Sequence, residues 1–153
     1  MSRGSPGQIL YLMEPTGLSS PPARPLAQLT VTECLRLLSS AAVGRIVYTQ
    51  RAMPAVELVN FTLDGGDIVI RTDPDGTLAA ATHHTVVAFE ADEVDTATGQ
   101  GWSVMAVGQS RQVTESRDIA RLLDTGLRSL QPGRHEHFIR VTPGILTGRR
   151  LAG

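Results

Sequence analysis

The chain has 153 residues and a mass of 16.4 kDa, enough for one domain with a real hydrophobic core. Fourteen basic residues against fifteen acidic ones leave a net charge of −1, without the basic excess of a nucleic-acid binder. A single cysteine, Cys34, excludes an intrachain disulfide, and no apolar run approaches the roughly 20 residues of a membrane helix. A cytoplasmic protein with no membrane or nucleic-acid partner is the expectation.

Residues 1–28 are rich in proline and glycine, which remove donors and interrupt regular structure, so they read as a flexible N-terminal tail. The domain proper is expected over residues 29–153. Thr30-Val31-Thr32-Glu33 has the form of a capping box, and Cys34, Leu35, Leu37 and Leu38 supply an apolar face. A helix over 31–40 follows. Cys34 reads as a buried, inert thiol.

Strand signals then dominate. Val43 to Thr49 and Ala55 to Leu63 are rich in β-branched and apolar residues, with a turn over Gln50 to Pro54. Asp64-Gly65-Gly66-Asp67 predicts a hairpin into Ile68–Thr72, because glycine accepts the positive φ of a tight turn. A turn at Asp73–Gly76 leads into a short helix over Thr77–Thr82. Thr85 to Ala91 and Gly101 to Val113 read as strands around a polar loop. Over 115–129 the apolar spacing becomes helical, through Ile119, Leu122, Leu123 and Leu127. Two last strands are expected, His135 to Val141 and Ile145 to Leu151, joined at Pro143-Gly144. A mainly β fold with a few helices and six or seven antiparallel strands favours closure into a barrel.

Several segments together resemble the pyridoxamine 5'-phosphate oxidase-like split-barrel family, in its actinobacterial branch near the nitroimidazole-resistance proteins. They are Glu33-Cys34-Leu35-Arg36-Leu37-Leu38, Val43-Gly44-Arg45-Ile46-Val47, Val59-Asn60-Phe61, Ile70-Arg71-Thr72, Val87-Ala88-Phe89-Glu90-Ala91-Asp92, Gly101-Trp102-Ser103-Val104 and Thr147-Gly148-Arg149-Arg150. The resemblance runs over about residues 29–151. It implies a six-stranded antiparallel split barrel that forms a homodimer, with FMN at the dimer interface. Some relatives use a deazaflavin cofactor or bind haem instead.

The same resemblance assigns candidate cofactor residues. Arg71 and Thr72 take the position that grips the cofactor phosphate, where a guanidinium fork and a hydroxyl suit an anion. Alternatively, Arg71 is a strand-end residue paired with Asp73 or Asp75. Relatives often carry a lysine near the place of Thr77, so this departure, with two aspartates close by, weakens the phosphate site. Val59, Asn60 and Phe61 correspond to the strand along the isoalloxazine edge, or else form an ordinary strand. Glu57 shares the strand face of Val59 and Phe61 by the period of two. Trp102 and Ser103 match the stretch that reaches the cofactor from the facing subunit, with core packing as the other reading of Trp102. Arg149 and Arg150 read as a solvated pair.

His135 and His137 share a strand face, yet with no further ligand nearby they and His83 and His84 read as surface histidines. The nucleophile-elbow, P-loop and dinucleotide glycine motifs are absent. No catalytic acid or base stands out. The leading expectation is a flavin-dependent oxidoreductase acting on a small molecule. The alternatives are a non-catalytic flavin or haem binder serving as a redox sensor, and a dimeric module with an empty cleft.

Overall fold

The computed structural model describes residues 27–130 and 137–152. In chain order the elements are β1 (Ala27–Gln28), α1 (Val31–Ser40), β2 (Val43–Gln50), β3 (Met53–Asp64), β4 (Asp67–Thr72), α2 (Thr77–Ala81), β5 (Thr85–Val94), β6 (Gly101–Gln112), α3 (Ser116–Leu123) and β7 (His137–Leu151). The sheet order is β1-β7-β4-β3-β2-β5-β6, and β6 also pairs with β7. Six long antiparallel strands therefore close into a barrel, and closure removes the exposed edges that an open sheet would carry.

The alternation of each strand sorts its side chains. Ile46, Val59, Phe61, Ile68, Ile70, Phe89, Trp102, Val104, Ala106 and Val141 are buried in one core. Phe61 and Phe89 meet edge to face, with ring centroids 4.7 Å apart. The α1 helix adds Cys34, Leu37 and Leu38 to this core. Thr30 caps it through its hydroxyl oxygen, which accepts from the Glu33 N–H at 3.2 Å. Burial, then the neighbouring Glu33, pushes the Cys34 thiol up, as suits an inert side chain.

The structure corrects three sequence expectations. Residues 137–151 form one strand, not two. Gly108 pairs with Pro143 and Val107 with Ile145, so Gly144 is the extra residue of a bulge. Chain pairing thus continues past Pro143, which bends the strand without ending it. The third helix stops at Leu123, because Gly126 turns the chain at φ +76° and the Thr125 hydroxyl donates to the Leu122 carbonyl at 2.6 Å. Residues 27–28, expected in the tail, pair with Arg150 and Arg149, so the sheet begins at Ala27. From β4 the α2 helix carries the chain across to β5, which pairs with β2 and β6.

Outside the barrel, α3 covers a second small core of Val69, Val113, Leu122, Leu127 and Phe138 on the outer face of β4 and β7. An ion-pair network borders it. Arg140, 7% exposed, reaches Asp64 at 2.5 Å and Asp67 at 3.2 Å, and Arg121 pairs with Asp64 and Asp118. The hydrogen bonds from Arg121 and then Arg140 hold the Asp64 carboxyl down at about 2. A depressed native pKa stabilises the fold above the unfolded-state value and loses that contribution as pH falls through the native one. Stability on the order of 2 kcal/mol should therefore disappear between about pH 4 and pH 2. Denaturant titrations across that range should show a shallower acid slope for Asp64→Asn; an unchanged slope would dismiss this role.

Candidate functional site

Even-numbered residues of β3 and odd-numbered residues of β4 point away from the barrel core. Thr62 faces Val69 across this pair, and the register carries Asn60 to the flank of Arg71. The 125–128 turn, following α3, stands over this strip. Between them lies a cleft of about 300 Å³, lined by Ala42, Asn60, Phe61, Thr62, Thr125, Gly126, Leu127 and Arg128. That volume is at the small end of ligand pockets, which run roughly 300–1,000 Å³. The walls offer an amide, two hydroxyls, a guanidinium and aliphatic surface. Such a donor set suits a planar heteroaromatic group with polar edges.

The turn is held in place by its own bonds. Leu127 N–H donates to the Thr125 hydroxyl oxygen at 3.3 Å, and the Leu127 side chain is buried in the outer core. From beneath, Arg71 Nη1 donates to the Leu127 carbonyl at 3.1 Å, while its guanidinium lies 5.6 Å from the Phe138 ring centroid. Arg71 thus ties the cleft's outer wall to the sheet.

The structure brings only some of the expected residues together. Asn60 lines the cleft and Arg71 supports its wall. Val59 and Phe61 turn their side chains into the barrel, each 5% exposed, and Phe61 borders the cleft from that inner position. Thr72 is buried on the face opposite Arg71. Thr77 opens α2 in an exposed position and is not a cleft residue. In the preceding turn, the amides of Asp75 and Gly76 already donate to Asp73, at 2.9 and 3.1 Å. Trp102 is a core residue at 6% exposure. Ser103 faces outward on β6, three strands from β3, or roughly 14 Å at about 4.8 Å per strand. Within one chain it stands apart from the cleft. Glu57 also turns inward, where it accepts from the Tyr48 hydroxyl at 3.0 Å. Burial, then this bond, pushes Tyr48 up to about 12.

Sequence reasoning missed Thr62, Thr125 and Arg128. The period of two that turns Asn60 outward in β3 turns Thr62 outward as well. The 125–128 turn was hidden because Leu127 continues the helical spacing of α3.

The cleft opens beside a broad exposed face of the barrel. Val56, Val47, Ala88, Val107 and Ile145 stand side by side in register across five strands, with Val56 61% and Ile145 57% exposed. The next row is Leu58, Arg45, Glu90, Met105 and Thr147. Beyond it lie Asn60 paired with Val43, and Asp92, Ser103 and Arg149 paired in turn. Asn60 and Ser103 therefore share this outer surface.

Among the described residues no three His, Cys, Asp or Glu side chains gather as a metal site. The His83 and His84 rings lie 4.0 Å apart, tilted by 56°, burial and then His83 push His137 down, and His135 lies outside the described residues. No helix among those residues is long and apolar enough to cross a membrane.

Comparison with known proteins follows the same outline. A family model described as pyridoxamine 5'-phosphate oxidase matches residues 30–150. The chain is 32% identical over 137 residues to an uncharacterized Mycobacterium tuberculosis protein, covering 84% of this chain and 88% of that one. The structure of the FAD binding protein from Mycobacterium smegmatis aligns with a TM-score of 0.71 and 34% identity, covering 84% of this chain and all of the other. The FAD and heme binding protein from Mycobacterium smegmatis, at 10% identity and a TM-score of 0.66, shares the fold.

Proposed function

Because the chain belongs to the pyridoxamine 5'-phosphate oxidase family, we propose that it binds a flavin through the FMN portion, in the cleft under the 125–128 turn, as a homodimer. The observation that carries this reading is the cleft itself. It is formed by Asn60, Thr62 and Arg128 at the rim of an exposed apolar sheet face, in a chain one-third identical to a FAD-binding protein. FMN and FAD share the isoalloxazine, ribityl and first phosphate, so either molecule presents the same group here.

A cleft of about 300 Å³ holds part of such a ligand. A second copy seated on the sheet face completes it and brings the partner's outward residues, Ser103 among them, toward the cleft rim. The Asn60 amide and the Thr62 hydroxyl serve the ligand's polar edge, Ala42 and the aliphatic wall cover its face, and Arg128 supplies positive charge that Thr77 does not. A bound flavin supplies electron-transfer chemistry, and on this reading the protein is an oxidoreductase acting on a small molecule. The cleft walls carry no carboxylate, imidazole or thiol among the described residues. The chain's part is to orient and enclose the ligand.

Filling the cleft tests the site. Thr62→Trp places an indole in the ligand's space on an outward, half-buried position. Flavin affinity should fall at least about tenfold, or about 1.4 kcal/mol, with the far-UV spectrum and melting temperature kept. Wild-type affinity in a folded Thr62→Trp protein would place the flavin elsewhere.

A further inference from the structure

Three charged groups interrupt the apolar face. Arg45 on β2 stands directly opposite Glu90 on β5, and Asp92 follows two residues later on the same side. One nitrogen, Arg45 Nη1, serves both acids, reaching Glu90 Oε2 at 3.1 Å and Asp92 Oδ2 at 3.2 Å. Two carboxylates thus share a single guanidinium. On the other side Glu90 faces Met105 and Asp92 faces Ser103, both on β6 and both uncharged. Leu58 lies opposite Arg45 on β3. The nearest further charge in register is Arg149 of β7, opposite Ser103. In one chain the cluster stays partly open, with Arg45 47%, Glu90 27% and Asp92 36% exposed.

Resting on the dimer reading above, we infer that Arg45, Glu90 and Asp92 form the polar seam of the self-association face and bind one proton per chain when two copies join. The argument is one of charge. With both acids ionised the seam carries −1, and a two-fold interface meets each seam with a face of the same composition. Removing that surplus charge from water is unfavourable, because uncompensated charge is costly to bury. One proton taken from solvent onto the acid pair leaves a neutral seam, one carboxylate against one guanidinium. Already in the single chain, burial and then Asp92 push Glu90 up to about 7, against the opposing pull of Arg45. Apposition of a second copy deepens the burial and raises it further. Association is therefore linked to proton uptake near neutrality and weakens as pH rises.

Sedimentation equilibrium of the full chain at pH 6, 7 and 8 tests this directly. The dimer dissociation constant of the wild type should rise at least about tenfold from pH 6 to pH 8, within the limit of about a hundredfold per pH unit set by two protons lost per dimer. Glu90→Gln, which keeps the shape of the protonated acid, should bind tightly at pH 8 and change less than about threefold over the range. The histidines are intact in Glu90→Gln, so a slope that survives in the variant overturns the seam and assigns the effect to another group. A dimer of constant affinity in the wild type overturns the seam alone. Val56→Glu separates the two readings, since it places a charge on the most exposed valine of the apolar row. A monomeric wild type at pH 6, or a Val56→Glu chain that dimerises like the wild type, overturns the dimer face and the seam with it.

Discussion

Arg71→Ala should weaken flavin binding at least about tenfold, about 1.4 kcal/mol, and should do so equally for FMN and riboflavin. The reason is the position of the guanidinium. It donates to the Leu127 carbonyl and lies over Phe138, so it fixes the turn that carries Gly126 and Arg128 into the cleft. Losing a charge-assisted hydrogen bond of this kind costs about 1.5–3 kcal/mol locally. Loosening the wall adds an ordering cost to every ligand that packs under it. A residue that gripped the phosphate would give a different pattern: FMN would suffer and riboflavin, which has no phosphate, would not. Affinity measured for both ligands decides between the roles. Equal losses support the wall-positioning role, and a loss confined to FMN returns Arg71 to the phosphate. Unchanged affinity for both removes it from the site.

Gly108→Ala should be among the most damaging single methyl groups in the barrel. A Cβ built at Gly108 falls 1.9 Å from the Thr142 carbonyl oxygen and 3.0 Å from Pro143 Cα. Both are backbone atoms of β7 at its bulge, and neither can rotate away. The strands must separate where β6 closes the ring, breaking hydrogen bonds on both sides. A cost of about 3 kcal/mol or more is expected, a drop of roughly 10 °C in melting temperature for a domain of this size. Gly65→Asn serves as the control. Gly65 has φ +59° with nothing within 4 Å, and asparagine tolerates that conformation. Thermal unfolding followed by circular dichroism should separate the two variants clearly. A Gly108→Ala protein melting within about 2 °C of wild type would show that the bulge yields easily.

Local signals placed much of this fold. The capping box at Thr30 gave α1 its start, and Gly65-Gly66, at φ +59° and +86°, made the β3–β4 hairpin legible. The β2–β3 hairpin was harder, because Arg51 and Ala52 adopt positive φ without glycine or asparagine to announce it. The bulge at Gly144 looked like a strand end, since proline followed by glycine usually breaks a strand. Only the pairing of β7 with both β4 and β6 holds the two halves in one element.

The site was less legible than the fold. Alternation alone turns Val59, Phe61 and Thr72 inward and Asn60, Thr62 and Arg71 outward. Which face carries the cleft depends on where α3 and its turn pack, and that is a tertiary outcome. The apolar outer face was also hidden. Val47 and Val56, or Val107 and Ile145, read as ordinary strand residues until register aligns them. A barrel whose inside and outside are both apolar shows strand alternation only weakly in sequence.

The most direct test of the whole account is titration of the purified full chain with FMN and FAD, followed by flavin fluorescence and absorbance. Deazaflavin cofactor and haem serve as comparison ligands. The account predicts saturable micromolar binding of FMN or FAD, with one flavin per chain and a shifted visible spectrum. Saturation by haem or deazaflavin alone, or by none of the four, would contradict it.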